Sequence, residues 1–178
     1  HAWSYWIGAG SLQEHINDAV PGMPFTLSEA KNFLATLDRI RPGVAAWRLK
    51  VVEELTRSRT VYTPFGRQRT FLGPNRKDRF PNDLHREAVA HKPQSIAADH
   101  MHGALVRTEQ RLDDVPRADL LLYTHDAIAG QCLPKDLERV KQIVCEEISR
   151  PLPIVWNEIP CSIPADFGSG SNWKESHP

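Results

Sequence analysis

Cysteine is scarce in this sequence of 178 residues. Its three cysteines, Cys132, Cys145 and Cys161, are far apart and odd in number. This pattern excludes the disulfide framework of a small secreted protein, and it also excludes a Cys-x-x-Cys zinc site. The cysteine usage therefore favours a reducing, cytoplasmic environment.

Net charge and long apolar runs are also lacking. The 22 lysines and arginines balance the 22 aspartates and glutamates, so any nucleic-acid binding has to come from local groups of residues. No apolar run approaches the roughly 20 residues that cross a bilayer, and no charged-then-apolar leader opens the chain. We therefore expect no membrane partner. The sequence starts at His1 without a methionine, and we expect it to be a piece of a longer chain.

Several signatures of catalysis are missing as well. The sequence has no Gly-rich phosphate loop and no Gly-x-Ser-x-Gly elbow, which leaves P-loop hydrolysis and serine-hydrolase chemistry without support. His100 and His102 are two residues apart on a predicted helix. Side chains at that spacing diverge by about 200°, so the two histidines do not form a zinc site.

The periodic segments predict one α+β unit. Ser28 is the expected N-cap of a helix that ends near Ile40, and Pro42 begins a second helix in which Arg48 can face solvent. A short hairpin with a Pro64-Phe65-Gly66 turn follows. Apolar residues at a three-four spacing predict a long helix over 84–112, which Pro93 should bend or interrupt. The other predicted elements are two buried strands at 120–123 and 127–129 and a helix that begins at Pro134.

Asp126 lies at the polar turn between the two apolar strands. A carboxylate in such a place needs a cation or hydrogen-bond donors. Two interpretations stay open: a metal ligand, or an ordinary turn aspartate that accepts bonds from backbone N–H groups.

Two pairs of polar residues are candidates for nucleic-acid contacts. Arg67 and Arg69 alternate on a strand, so their guanidinium groups share one face at about 6–7 Å, near the spacing of phosphates along one strand. Arg86 and Gln94 are eight residues apart on the long helix, within about 80° of each other. Alternatively, both pairs are ordinary polar residues on a solvent-exposed surface. Tyr5, in the aromatic start of the chain, is either a core residue or a base-stacking platform.

Five short segments form a pattern that covers nearly the whole chain. Residues 1–6 read His-Ala-Trp-Ser-Tyr-Trp, 63–69 read Thr-Pro-Phe-Gly-Arg-Gln-Arg, 93–99 read Pro-Gln-Ser-Ile-Ala-Ala-Asp, 122–126 read Leu-Tyr-Thr-His-Asp, and 172–173 read Asn-Trp. In this order they resemble the end of the fingers helix, the Thr-x-x-Gly-Arg-x-Arg hairpin, the Gln-Gly-x-Ala-Ala-Asp helix, the strand ending in His-Asp and the carboxy-terminal Trp of family A DNA polymerases. That group includes bacterial polymerase I and many phage replicative enzymes.

The resemblance implies a polymerase palm, in which an antiparallel sheet with a catalytic hairpin is backed by long helices, as a fragment of a larger right-hand fold. It assigns residues 1–58 to the end of the fingers and the helices that follow, and residues 59–178 to the palm. The implied activity of the parent protein is DNA-directed DNA polymerase activity in DNA replication, a nucleotidyltransferase reaction that adds dNTPs to the 3′ end of primer-template DNA.

The resemblance also implies residue roles. Asp126 would be one of two aspartates that hold a pair of Mg²⁺ ions for phosphoryl transfer. His125 would touch the primer backbone, and Arg67 and Arg69 would lie near primer phosphates. The other implied contacts are those of Arg86 and Gln94 with the duplex near the new base pair, of Tyr5 with the templating base, and of His1 with the sugar of the incoming nucleotide.

The sequence departs from the family pattern in several places. Ala127 stands where the family commonly has Glu, and Trp6 and Ser95 stand where it has glycine. These differences indicate a divergent, phage-type branch. The first metal aspartate of the family, and the fingers lysine and arginine that grip the triphosphate, would precede His1. We therefore expect that the chain alone does not polymerise and needs the upstream part of the same polypeptide as a partner.

Two alternatives stay open. Ala127 and the neutral net charge favour a degenerate, non-catalytic DNA-binding module. A soluble interaction domain with coincidental motifs would require Arg67, Arg86 and Gln94 to lie on different faces.

Overall fold

This computed structural model describes residues 2–22, 24–73, 81, 83–124, 126–156 and 158–176. These residues form five α-helices and three separate two-stranded antiparallel sheets, which confirms the α+β class. The chain divides into two compact units, residues 1–94 and 95–178. The assignment of 1–58 to fingers and 59–178 to palm stays a prediction.

The helices and strands have the following bounds in chain order. The elements are α1 (Ala9–Ala19), α2 (Leu27–Ile40), α3 (Pro42–Ser58), β1 (Thr60–Tyr62), β2 (Gln68–Thr70), α4 (Asp83–Leu112), β3 (Asp119–Thr124), β4 (Ala127–Gln131), α5 (Leu137–Ile148), β5 (Val155–Trp156) and β6 (Ile159–Pro160), with 3₁₀ turns at Ala2–Tyr5 and Pro134–Asp136.

The long helix predicted from the three-four spacing is α4, which has 30 residues and continues through Pro93. Within the part of the chain that the structure describes, no helix is both long and apolar enough to span a bilayer. The helix predicted from Pro134 is also confirmed, since a 3₁₀ turn there leads into α5.

Helix α2 begins with a capping box. The Thr26 hydroxyl accepts the Glu29 N–H at 3.2 Å, and the Glu29 carboxylate accepts the Thr26 N–H at 2.7 Å. Hydrogen bonds from the Thr26 backbone and side chain lower the pKa of Glu29. The predicted N-cap at Ser28 is therefore wrong by two residues. Thr26 has a glutamate three positions later, and together the two side chains pair two backbone N–H groups that the helix itself leaves without acceptors.

The first unit has its core where α3, β1 and the first part of α4 meet. Val51 and Leu55, four residues apart on α3, lie on the buried side of that helix. Trp6, Trp47 and Leu84 pack against this core while remaining partly exposed. Its fully buried members are Val51, Leu55, Val61, Phe71, Ala88 and Val89.

The prediction that Arg48 faces solvent on α3 is wrong. Its side chain is only 2% exposed and forms an ion pair with Asp38 at 2.5 Å. The Arg48 guanidinium also lies over the ring of Trp3. Burying an arginine costs little free energy where a carboxylate and aromatic rings surround its guanidinium group. The spacing of residues along a helix does not reveal such partners from other segments.

The second unit is held together by a buried carboxylate. Glu147 of α5 is fully buried, and its carboxylate accepts hydrogen bonds from Arg107 Nε at 2.7 Å and Arg111 Nη1 at 2.9 Å, both from α4. Arg150 Nε lies 2.6 Å from the same carboxylate. Burial alone would raise the pKa of Glu147, but the hydrogen bonds from the three arginines outweigh it and lower the pKa. This arginine cluster, Arg107, Arg111 and Arg150, joins α4 to α5.

The β3–β4 hairpin packs on the core of this unit through Leu120, which contacts the cluster of Leu112, Val115 and Ile143. Opposite Leu120 lies Gly130. A Cβ atom added to Gly130 would lie 2.7 Å from the Asp119 carbonyl oxygen, so this close approach requires glycine.

The predicted burial of both strands of this hairpin is wrong. Leu121 is 61% exposed and Leu122 is 50% exposed. The pairing register shifts between Leu120 and Leu122, and this bulge interrupts the alternation of side chains that an unbroken strand would have. As a result two successive leucines face away from the core, while Leu120 and Tyr123 are half-buried.

The arginine cluster predicts a large effect of Glu147→Gln on stability. Removing the negative charge leaves three arginines without their shared partner, so the free energy of unfolding should fall by about 3 kcal/mol. Urea denaturation followed by circular dichroism measures the difference.

The matched control is Glu146→Gln, one residue away, where an exposed carboxylate pairs with Arg111 at 2.8 Å and accepts a hydrogen bond from the Gln142 amide at 2.7 Å. Exposed ion pairs contribute little, so this variant should be close to the unsubstituted chain. Equal losses in the two variants would contradict the structural role of Glu147.

Candidate functional site

Residues 2–6 form a tight turn, which we call the Tyr5 turn. Ala2–Tyr5 is one turn of 3₁₀ helix, and the Trp6 N–H donates to the Trp3 carbonyl at 3.0 Å. Trp6 has a φ of 66°, in the left-handed region, which ends the helix. The resemblance implies the end of a helix here, and the described residues form a single 3₁₀ turn. Tyr5 is half-buried within the turn, and His1 lies outside the described residues.

Arg86 of α4 lies against the Tyr5 turn. Its Nε donates to the Trp6 carbonyl oxygen at 3.1 Å, and its Nη1 forms an ion pair with Asp83 at 2.8 Å. The structure therefore places Arg86 against the turn that contains Tyr5, through a contact with the next residue, Trp6. Gln94 lies two helical turns further along α4, and its side chain is exposed.

Residues 60–70 form the predicted hairpin, which we call the arginine hairpin. Strands β1 and β2 pair up to Tyr62 and Gln68. The turn is closed by the Gly66 N–H, which donates to the Thr63 carbonyl at 2.9 Å, and by the Thr63 N–H, which donates to the Arg67 carbonyl at 2.9 Å. Gly66 has a φ of 83°, a conformation that glycine adopts without strain. The turn fixes where the chain enters β2, with Arg67 just before the strand and Arg69 within it.

Arg67 and Arg69 are both exposed on the arginine hairpin. Arg69 forms an ion pair with Glu87 of α4, and its guanidinium lies 4.8 Å from the centre of the Phe71 ring. This ion pair is exposed on both sides and is therefore weak. A phosphate group can compete with Glu87 for the Arg69 guanidinium.

Asp126 lies in the turn of the β3–β4 hairpin, where Thr124 pairs with Ala127. Its side chain is exposed, and no donor among the described residues forms a hydrogen bond or ion pair with its carboxylate. Its role, as a metal ligand or as an ordinary turn aspartate, stays a prediction. His125, the other predicted residue of this bend, lies outside the described residues.

The position of the bend depends on contacts of β3 that sequence reasoning missed. The ring of Tyr123 meets the ring of His102, on α4, edge to face with centroids 5.2 Å apart. Nothing in the sequence pairs His102 with a strand residue, so local spacing does not predict this contact. Tyr123 and Leu120 together attach β3 to its own unit.

The donor set at the bend fits a metal ion in part. Mg²⁺ prefers carboxylate oxygens, and the exposed Asp126 carboxylate offers one. Among the residues that the structure places, no group of three His, Cys, Asp or Glu side chains could hold an ion. Asp126 can therefore supply one ligand to a site whose other ligands come from elsewhere.

The segments described above match a known family along nearly their whole length. The model of the family described as DNA polymerase family A matches residues 4–175. The chain belongs to DNA polymerase family A. The match includes the Tyr5 turn from residue 4 onwards, the arginine hairpin, α4 and the bend with Asp126.

Similar proteins include bacterial polymerases. The chain is 31% identical over 147 residues to a thermostable DNA polymerase I of Thermus thermophilus, covering 82% of this chain and 17% of that protein. It is 24% identical over 138 residues to DNA polymerase I of Helicobacter pylori, covering 78% of this chain and 15% of that protein. This family A chain thus spans about a sixth of the length of these relatives.

A solved structure has the same fold. The polymerase domain of Pol1 from M. smegmatis, in complex with DNA primer-template and dNTP, superposes with a TM-score of 0.73 at 21% identity. The likeness covers 89% of this chain and 27% of that one. The expected fold, a fragment of a larger polymerase fold, is thereby confirmed.

The conformation of the arginine hairpin predicts that Gly66→Ala is destabilising. Because Gly66 has a positive φ, the added Cβ atom should lower the free energy of unfolding by about 1 kcal/mol. Urea denaturation measures the loss.

Gly43→Ala is the control, because Gly43 lies in the first turn of α3 with open space around its Cα. There alanine should leave stability unchanged or slightly higher. A loss of the same size at both positions would contradict the conformational argument.

Proposed function

We propose that the polypeptide containing this chain is a DNA-directed DNA polymerase that adds dNTPs to the 3′ end of a primer. The observation that carries the proposal is the match to DNA polymerase family A over residues 4–175, with an exposed carboxylate at the bend of the β3–β4 hairpin. The bound primer-template and dNTP of the M. smegmatis structure support the same substrates. The reaction forms a bond between the primer 3′ oxygen and the α-phosphorus and releases pyrophosphate.

Asp126 is the residue of this chain to which we assign a metal-binding and catalytic role. Its carboxylate is exposed at the end of a strand that is anchored through Leu120 and Tyr123, so it is held in place and yet open to an ion. Mg²⁺, when bound, supplies positive charge that favours the deprotonated primer hydroxyl and offsets the charge of the phosphates. The further ligands would come from parts of the polypeptide outside this chain, which is why the chain alone should be inactive.

Other residues would bind substrate. We assign the arginine hairpin, with Arg67 and Arg69, to primer phosphates, and Arg86 and Gln94 to the duplex near the new base pair. Both arginines of the hairpin are exposed, and phosphate contacts of this kind position DNA without reading its sequence. The remaining assignments are Tyr5 to the templating base, His1 to the incoming nucleotide, and His125 to the primer backbone and to the catalytic bend.

The cell compartment and further partners follow from the proposed reaction. We place the parent polymerase in the cytoplasm of a bacterial or phage-infected cell, as the bacterial relatives suggest. Its partner in the same polypeptide would be the upstream part of the polymerase.

A non-catalytic DNA-binding module is the second candidate. Ala127 favours it, because the family resemblance places a glutamate there and this chain has no carboxylate at that position. If the parent polypeptide binds primer-template DNA and extends no primer under any metal condition, this second function replaces the first.

Asp126→Asn in the parent polypeptide tests the catalytic assignment. The amide keeps the shape of the side chain and removes the charge, so primer extension should fall by at least about 10³-fold. Primer-template binding, measured by fluorescence anisotropy, should stay within about twofold because the residue acts on the ions and not on the duplex.

The matched control is Asp119→Asn, at the far end of the same strand, where the carboxylate accepts a hydrogen bond from the Gln131 amide at 3.1 Å. Its extension rate should resemble that of the unsubstituted enzyme. Extension by Asp126→Asn at the rate of the control would contradict the metal role.

Arg67→Ala tests the arginine hairpin as a phosphate contact. The loss of one phosphate contact should lower the slope of log K against log salt by about 0.9 for duplex DNA. Titrations of primer-template binding at four or five salt concentrations give the slope.

Arg57→Ala is the control, since Arg57 is an exposed arginine on α3 outside the proposed contact surface. Its slope should equal that of the unsubstituted protein. The assignment is wrong if the two variants give the same slope.

A further inference from the structure

We propose that Arg48 is a positioning residue for Tyr5. The inference deepens the proposed function and rests on it, because it concerns how the polymerase would hold the side chain assigned to the templating base. Neither the family match nor the sequence pattern gives Arg48 a role.

The Arg48 guanidinium is in contact with both aromatic residues that flank Ser4 and Tyr5. It lies 4.9 Å from the centre of the Trp3 ring and 5.3 Å from the centre of the Trp6 ring. Cation–π contacts are strong where the cation is withdrawn from water, and Arg48 is almost completely buried. Arg48 therefore holds the Tyr5 turn at both ends.

Asp38 of α2 completes this anchor. Its Oδ1 atom accepts a hydrogen bond from the Trp3 indole Nε1 at 2.9 Å and from Arg48 Nη2 at 2.5 Å. The carboxylate therefore links one indole ring to the cation that contacts both rings. Arg48, Asp38, Trp3 and Trp6 together form what we call the tryptophan anchor.

The backbone of the turn needs such an anchor. Trp6 has a φ of 66°, and for a bulky side chain this left-handed conformation is strained. The conformation persists only where surrounding contacts fix it. Those contacts are the Arg48 guanidinium, the packing of Trp6 on the core and the hydrogen bond from Arg86 to the Trp6 carbonyl.

Tyr5 lies between the two anchored residues and is itself only half-buried. The tryptophan anchor therefore fixes the Tyr5 backbone and leaves its ring available to a base. Loss of the anchor would let the turn relax, and the ring would have to be ordered each time a nucleotide binds. That ordering cost appears in the apparent affinity for the dNTP and not in the affinity for the duplex.

The test compares Arg48→Met and Arg48→Lys in the parent polypeptide. Methionine fills a similar volume without charge, so the KM for the dNTP should rise about tenfold while the affinity for primer-template DNA stays unchanged. Lysine keeps the charge and should restore most of the loss. Hydrogen exchange of a peptide covering residues 2–12 should become faster in Arg48→Met, while exchange in α4 stays the same.

A double-mutant cycle with Trp6→Gly adds a readout that a merely structural role would not change. Glycine removes both the ring and the strain at this position, so Arg48→Met should have a smaller effect on KM in the Trp6→Gly background. Arg39→Met, an exposed residue next to Asp38, is the control and should change none of these quantities.

The outcomes separate this inference from the proposed function. Equal changes of KM, DNA affinity and exchange throughout the first unit in Arg48→Met would overturn the positioning role, and so would no change in KM and in the exchange of residues 2–12. If the unsubstituted polypeptide extends no primer, the proposed function fails. The exchange comparison then still decides whether Arg48 holds the Tyr5 turn.

Discussion

The buried Glu147 carboxylate ties α4 to α5, and the second unit of the chain depends on that connection. Leu120 of β3 packs against the core between these helices, and the ring of Tyr123, on the same strand, packs against the ring of His102 on α4. The hairpin that carries Asp126 is therefore attached to helices that are themselves joined by three arginines around one carboxylate. The buried and fully paired carboxylate of Glu147 thus helps to position the exposed carboxylate of Asp126, for which the described residues provide no partner.

Asp126 and Glu147 are carboxylates in opposite environments. Glu147 has no contact with water and would be costly without its arginine partners. Asp126 is exposed at a bend and is free to exchange water for an ion. Ala127 makes this bend poorer in negative charge than the family pattern, and Trp6, with its positive φ, is a second departure from that pattern.

Periodicity in the sequence was enough to predict the long helix through Pro93, the arginine hairpin and the strands on either side of Asp126. The sequence also contains the signal for the α2 cap, because Thr26 has Glu29 three residues later, a stronger capping pattern than Ser28 alone. Arg48 and Leu121 could not have been predicted in the same way. The burial of Arg48 depends on Asp38 and two indole rings from distant segments, and the exposure of Leu121 depends on a bulge. Both are tertiary effects that a local pattern does not contain.

The most direct test of the account is the position of a divalent ion in the parent polypeptide. Crystals grown with primer-template DNA and Mn²⁺ in place of Mg²⁺ would reveal the ion by its anomalous scattering. We expect a peak within about 2.2 Å of an Asp126 carboxylate oxygen. A fully occupied metal site elsewhere, with the Asp126 carboxylate bonded only to backbone N–H groups of its own turn, would contradict the account.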